Sequence, residues 1–267
     1  MTGHEHAHQP GWAGAPLLVA LALAGLAYLL AVRRLHRTGR PWPVVRTALW
    51  LLGLGAAAAG VLIGSGSSFA VHMVGHVLLG MLGPLLLARA APVTLALRAL
   101  PAGRAKLLSR VLRSVPVALL TTPVVAALLS VGGLWLLYRT DLHAAAGHDP
   151  LLGLAVSTHV LLAGYLFTAT LVGPDPVAHR ADLGVRAAVL VLAVAAHNVL
   201  AKSFAAAPPA GLTEAEALAG GQLMYYLGAP VEIAVFVLLG REWARGDRRR
   251  ARRSPVPQPG PAGELSR

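Results

Sequence analysis

Long apolar runs recur along the whole chain, and they constrain its fold more than any other feature of the sequence. Only 13% of the 267 residues are charged, about half the share of a typical soluble domain. A helix of about 20 apolar residues is long enough to cross the hydrocarbon core of a membrane. The sequence therefore predicts an all-α, polytopic membrane protein with seven transmembrane helices. The predicted spans are residues 16–32, 44–63, 69–88, 115–138, 151–172, 185–204 and 221–240.

Two polar segments flank the membrane domain, which we place at residues 16–245. Residues 1–15 contain three histidines (His4, His6 and His8), and they lack the basic start and the small-residue cleavage site of a signal peptide. Residues 246–267 are rich in Arg, Pro and Gly, a composition typical of disorder. We therefore expect an N-terminal histidine-containing segment and a disordered basic tail.

The positions of the basic residues predict the orientation in the membrane. All but two of the 23 Lys and Arg residues lie in or beside the connections after spans one, three and five, or in the tail. Because cytoplasmic connections carry the excess of Lys and Arg, we expect the N-terminus outside and the C-terminus in the cytoplasm. The net charge of +12 does not indicate nucleic-acid binding, since the arginines lie between apolar runs rather than on an aromatic-bearing basic face. Residues 89–114 read as a basic segment on the lipid surface.

The third span carries the clearest chemical signal in the chain. His72 and His76 are four residues apart, so on a helix they share one face about one turn apart. Met73 borders this face, and Met81 lies deeper in the span. Ionisable residues inside a membrane span are costly and are usually functional. This face is therefore the first candidate for a functional site.

Histidines of two other spans are expected at a similar depth. The predicted orientation places His72, His76, His159 and His197 between about 5 and 12 Å below the outer surface, at 1.5 Å per residue. Glu232 is the one carboxylate within a predicted span and lies near mid-membrane, whereas Tyr225 lies at the outer end of the same span. We therefore expect a layer of histidines, from three helices, in the outer half of the membrane.

Copper suits this set of side chains. The chain has no cysteine, so a metal would have to bind imidazole, thioether or carboxylate groups, and imidazole with thioether favours Cu(I) or a Cu(I)/Cu(II) pair. Zinc stays an alternative by ligand type. Simple interhelical hydrogen bonding is the alternative for the histidines and Glu232, and core packing is the alternative for the methionines. The candidate metal ligands are His72, His76, His159 and His197, with Met73, Met81, Glu232 and Tyr225 as auxiliary candidates.

Several motifs together resemble the caa3-type cytochrome c oxidase assembly factor family, the CtaG group of Gram-positive and related bacteria. No single motif is decisive, but their order and spacing over most of residues 16–245 are fairly specific. In the third span and the turn after it, the matching residues are His72, Met73, His76, Met81, Pro84, Leu85, Leu86 and Pro92. Further along, they are His159, Gly164, Tyr165, Phe167, Gly173, Asp175, Pro176, Ala196, His197, Gly220, Gly221, Leu223, Met224 and Trp243.

This resemblance implies a multi-pass protein of the bacterial plasma membrane that helps to build a haem-copper oxidase, with a role in copper supply. The implied partners are oxidase subunits and other copper chaperones. We expect a non-enzymatic protein, because no nucleotide-binding loop or nucleophile motif is present. Two alternatives stay open: a redox protein that binds haem through pairs of histidines, and a copper or cation transporter that relays protons through Glu232.

Overall fold

The computed structural model describes residues 14–66, 68–177 and 180–253, with the backbone alone for residues 246–253. Every regular element in these ranges is helical, which confirms the predicted all-α class. The first three long helices are α1 (Ala15–Arg37), α2 (Val44–Gly64) and α3 (Phe69–Arg89). Three short helices follow, α4 (Pro92–Ala99), α5 (Ala102–Leu112) and α6 (Val115–Leu120). The remainder are α7 (Pro123–Arg139), α8 (Leu142–His148), α9 (Pro150–Val172), α10 (Leu183–Ser203) and α11 (Glu214–Arg253).

The described ranges contain six helices that are long and apolar enough to cross a membrane, or seven if one bent pair counts as a span. The prediction of a continuous fourth span over residues 115–138 is wrong. Helix α6 ends before Thr121, and Thr122 is extended because the proline that follows disfavours a helical residue before it. The apolar segment is instead α7 followed by α8, with an angle of 79° between them.

The last helix is longer than the predicted seventh span. Helix α11 continues to Arg253, so residues 246–253 are helical rather than disordered as predicted. Arginine is a good helix former, and no proline interrupts the sequence between Pro230 and Pro255. Residues 254–267 and the three N-terminal histidines, His4, His6 and His8, lie outside the described residues.

The long helices run alternately up and down, which gives the bundle two distinct ends. At one end, hereafter the arginine end, the Arg186 guanidinium donates to both carboxylate oxygens of Glu242 at 2.6 and 2.9 Å and to the Leu171 carbonyl at 2.8 Å. The Asp175 carboxylate accepts bonds from the backbone of Val93 and Thr94, which fixes the start of α4. The opposite end, hereafter the loop end, holds the α2–α3 and α10–α11 connections.

Glycines allow close approach of the helices that build the centre of the bundle. A Cβ at Gly75 of α3 would lie 2.6 Å from the backbone nitrogen of Gly64, so α2 and α3 touch backbone to backbone. A Cβ at Gly164 of α9 would collide with the Gly80 carbonyl of α3. Small residues bring membrane helices together in this way. Helix α3 is therefore held between α2 and α9, with its histidines inside the bundle.

The outer surface of the bundle is apolar. Leu23, Leu52 and Leu192 expose 60%, 63% and 69% of their surface, and they lie on three different candidate spans. Such exposure on helices with mean hydropathy near 2 fits contact with lipid rather than with water. The polar side chains considered next are, with few exceptions, on the inside.

Candidate functional site

Two π-helical turns shape the interior. One covers Leu78–Leu82 within α3, and the other covers Leu128–Gly132 within α7. A π-turn adds a residue to the helix and leaves part of the backbone bonding pattern irregular, and such turns are common at functional sites. Both turns contribute residues to the wall of the same small cavity.

This cavity lies in the interior between α3, α7, α9, α10 and α11 and has a volume of about 70 Å³. Most of its wall is apolar, with Leu, Val, Ala and Phe side chains. Four ionisable side chains converge on it from four helices: His76, His159, His197 and Glu232. We call this group and its cavity the inner site. The sequence predicted the three histidines as neighbours, and the structure brings them to one cavity.

Glu232 is the polar anchor of the inner site. Its Oε1 lies 2.9 Å from Nδ1 of His197, without the alignment of a regular hydrogen bond. Its Oε2 accepts a bond of 3.2 Å from Nδ2 of Asn198. Glu232 and His197 are only 8% and 4% exposed. A carboxylate next to Nδ1 favours the proton on that nitrogen, which leaves Nε2 of His197 with its lone pair.

His76, like His197, has a buried ring nitrogen without a hydrogen-bond partner in the described ranges. Its ring centre lies 6.5 Å from that of His197, with the planes 23° apart. Among the described residues, Nε2 of His76 and Nε2 of His197 have no hydrogen-bond partner, although both atoms are buried. A buried polar atom without a partner costs about 1–3 kcal/mol. Two such atoms in the wall of one cavity leave positions there for a water molecule, an ion or another polar ligand.

His159 lies at the border of the inner site. Its Nε2 donates to the Leu129 carbonyl at 3.0 Å, in the π-helical turn of α7. The side chain is exposed, unlike those of His76 and His197. Because the bond to Leu129 places the proton on Nε2, the lone pair of the neutral ring is on Nδ1. Gly133 makes room for this ring, since a Cβ there would lie 2.8 Å from Nε2 of His159.

His72 does not line the inner site, contrary to the predicted single layer of four histidines. It lies in the wall of a second, larger cavity of about 700 Å³ at the loop end. Its Nδ1 donates to the Gly64 carbonyl at 2.9 Å, and its Nε2 lies 3.3 Å from the Tyr138 hydroxyl. The ring of His143 is 5.0 Å away, centre to centre. His72 and His76 share a helix face and both line this larger cavity, but only His76 also lines the inner site.

The auxiliary candidates separate in the same way. Met81 lines the inner site, and a Cβ at Gly228 would lie 3.4 Å from its sulfur and 3.3 Å from Cε1 of His197. Met73 is fully buried in an apolar cluster that includes Phe69 and Met224. It therefore packs in the core, the alternative considered for the methionines. Tyr225 lines neither cavity, and its ring lies 4.0 Å from Nζ of Lys202.

The inner site has the side chains of a metal site, but they are not close enough to one another to form a group of three metal ligands. In the described part of the chain, no three His, Asp or Glu side chains converge closely enough to hold a metal ion. The inner site can therefore offer two imidazoles and a nearby thioether, with Glu232 orienting His197. Sequence reasoning missed Asn198 as a partner of Glu232, and gave His143 no place in the site. Asn198 follows His197 directly in a membrane span, and such an amide was a readable signal.

Comparisons of the sequence with known proteins show which family the chain resembles. The sequence model of the cytochrome c oxidase caa3 assembly factor (Caa3_CtaG) family matches residues 26–246. The chain is 30% identical to an uncharacterized protein of Mycobacterium leprae (strain TN) over 269 residues, which cover 89% of this chain and 40% of the relative. It is 31% identical to an uncharacterized protein of Mycobacterium bovis (strain ATCC BAA-935 / AF2122/97) over 258 residues, which cover 85% of this chain and 38% of the relative. The chain thus spans about two fifths of the length of these curated relatives. No solved structure matches it.

Proposed function

Because the chain belongs to the cytochrome c oxidase caa3 assembly factor family, we propose that it binds copper at the inner site and supplies it to an oxidase under assembly. Copper is the cargo in this account, and the protein is not an enzyme. His76 and His197 are the main ligands, Met81 and His159 are accessory ligands, and Glu232 orients His197.

The observation that carries the proposal is the pair of unpartnered buried imidazole nitrogens on His76 and His197. Histidines that bind metals usually donate the other ring N–H to a carboxylate or carbonyl, which fixes the tautomer. Glu232 lies 2.9 Å from Nδ1 of His197, which is close to this arrangement but without the alignment of a regular hydrogen bond. The ring centres of His76 and His197 are 6.5 Å apart, which is about the limit for two imidazoles bound to one ion in a straight line with metal–nitrogen bonds of about 2 Å. The pair would therefore hold an ion in a nearly linear arrangement.

Imidazole with thioether, in a site without thiolate, favours copper over harder cations. The small apolar cavity suits an ion that has lost its water. We therefore favour Cu(I), which tolerates low coordination numbers.

The two alternatives receive less support. A cavity of about 70 Å³ is far smaller than the roughly 300–1,000 Å³ of sites that hold organic cofactors, which disfavours haem between His76 and His197. Transport would need a route that continues to the arginine end. There, Arg186 bonds to the Leu171 carbonyl and pairs with Glu242, and Arg89 bonds to the Val172 carbonyl. These contacts tie the ends of α3, α9, α10 and α11 together across such a route.

The proposed location is the bacterial plasma membrane, with the loop end outside and the arginine end in the cytoplasm. The distribution of Lys and Arg supports this orientation. The inner site would then lie on the side from which copper reaches an oxidase. The proposed partners are oxidase subunits and extracytoplasmic copper chaperones.

Deletion of the gene tests the function in the cell. We expect the deletion strain to assemble oxidase with less copper and lower activity, and added copper salts to restore part of it. Complementation with wild type or with His36→Ala, whose histidine lies at the arginine end, should restore the enzyme. Complementation with His197→Ala or His76→Ala should not.

The outcomes separate the candidates. Normal copper content in the oxidase of the deletion strain would overturn the proposal. Full rescue by both inner-site variants would leave a role in assembly but remove copper binding from it. A Soret band in the purified protein would instead support haem binding.

A further inference from the structure

The large cavity at the loop end is a second polar site, and the copper-binding site proposed above does not use it. Its wall contains His72, Tyr138 and His143 together with exposed residues of the connecting loops, such as Gly66 and Gly211. It therefore reaches the protein surface at the loop end, whereas the inner site lies deeper between the helices and is bordered by the exposed His159. Its volume of about 700 Å³ leaves space for water and for the ligating group of a donor molecule.

Three rings of this cavity form a compact cluster. The ring centres of His72 and His143 are 5.0 Å apart, and those of Tyr138 and His143 are 5.2 Å apart. Two imidazoles bound to one ion at a bent, near-tetrahedral angle have ring centres about 5 Å apart, at metal–nitrogen bonds of about 2 Å. The spacing of His72 and His143 matches this value.

The hydrogen bonds of His72 define which nitrogen is available. A carbonyl can only accept, so Nδ1 of His72 carries the proton that it donates to Gly64. The lone pair of the neutral ring is therefore on Nε2, which accepts a hydrogen bond of 3.3 Å from the Tyr138 hydroxyl. This is the pattern of a metal-binding histidine whose other nitrogen is fixed by a carbonyl. A metal ion at Nε2 would take the place of the hydrogen bond from Tyr138.

His76 lies in the wall of both cavities. It follows His72 by one helical turn and precedes the π-helical turn whose Gly80 and Met81 line the inner site. It is therefore the side chain that an ion would meet on leaving the large cavity for the interior.

We propose that His72 and His143 form an entry site for Cu(I) in the large cavity, from which the ion passes by way of His76 to the inner site. This inference rests on the proposed copper function. It adds a second ion and a direction of loading, from the loop end inward. The entry site is the weaker of the two, because its wall is open to water.

Titration of the purified, detergent-solubilised full chain with Cu(I), in competition with a chromophoric chelator, tests the entry site. Wild type and the control His36→Ala should bind two copper ions of different affinity. His143→Ala and His72→Ala should each lose the weaker ion and keep the tighter one, and His197→Ala should lose the tighter one and keep the weaker. His143→Asn, which keeps a polar side chain of similar size, should behave as His143→Ala, and circular dichroism should report the same helicity for all variants.

Each result decides between the two claims. If His143→Ala, His143→Asn and His72→Ala all keep the wild-type stoichiometry while His197→Ala loses an ion, the entry site is overturned and the inner site stands. If His197→Ala keeps both ions while the His143 variants lose one, the inner site fails and the entry site stands. A single ion in wild type that only His197→Ala removes also overturns the entry site.

Discussion

Glu232 and His197 lie on neighbouring helices with Oε1 and Nδ1 2.9 Å apart, in the interior of the bundle. A carboxylate at this distance favours the proton on Nδ1, which leaves the lone pair on Nε2, beside the cavity. An unpaired carboxylate inside a membrane would be costly, so the histidine and Asn198 stabilise Glu232 as much as Glu232 orients the histidine. The pair therefore links α10 to α11 and also forms part of the proposed copper site.

Substitution Glu232→Gln should weaken copper binding without abolishing it. The amide keeps the shape but loses the negative charge that orients His197, and loss of such an outer partner typically costs 10–100-fold in metal affinity. Competition titration with Cu(I) measures the change. Glu214→Gln, an exposed glutamate at the start of the same helix, is the control and should bind as wild type. Unchanged affinity in Glu232→Gln would show that the pair is structural only.

Gly133→Ala should destabilise the inner site sterically. The new methyl group would lie 2.8 Å from Nε2 of His159 and would displace the ring from the Leu129 carbonyl. The exposed ring can move aside, so the expected cost is that of the lost hydrogen bond, about 0.5–1.5 kcal/mol of unfolding free energy. Gly132→Ala is a matched control, because a Cβ there has nothing within 4 Å. Thermal unfolding in detergent should separate the two variants, and equal melting temperatures would contradict the placement of His159.

Gly75→Ala should weaken the contact between α2 and α3. Its Cβ would lie 2.6 Å from the Gly64 nitrogen and 2.7 Å from the Gly60 carbonyl, so the helices would have to separate. We expect a loss of about 1–3 kcal/mol. Gly55→Ala, on an open face of α2, should be neutral or stabilise by up to about 1 kcal/mol. A Gly75→Ala protein as stable as Gly55→Ala would disprove the close backbone approach.

Glu242→Gln should destabilise the arginine end. It removes the charge that Arg186 meets at 2.6 Å, and Arg186 is only 3% exposed. Because Glu242 itself is partly exposed, we expect a cost of about 1–3 kcal/mol rather than the larger value of a fully buried pair. Removal of both charges in Arg186→Met/Glu242→Gln should cost less than the sum of the single changes. Strict additivity in a double-mutant cycle would mean that the two side chains do not interact.

Apolar runs and the distribution of arginines were sufficient to predict an all-α bundle and the position of most helices. The fourth span failed because average hydropathy does not register the break that Pro123 causes at Thr122. The end of α11 was missed because a composition typical of disorder was weighed above the helix propensity of arginine.

For the site, helical spacing and depth predicted His76, His159 and His197 at a similar depth, and all three line the inner-site cavity. Spacing and depth could not separate His72 from His76, since residues on one helix face can still meet different neighbours. The π-helical turns at Leu78–Leu82 and Leu128–Gly132 have no sequence signature, although they form part of the inner-site wall. Pairing of Glu232 with His197 depended on the rotation of α10 against α11, which only the packed bundle determines.

The position of copper in the protein tests the central claim most directly. Crystals or grids of the copper-loaded full chain, with anomalous scattering at the copper edge or a copper-site difference map, would locate the ion. We predict a peak between His76 and His197, bound to Nε2 of His197 and near the sulfur of Met81. A copper ion bound elsewhere, with both of these histidines free of metal, would contradict the account.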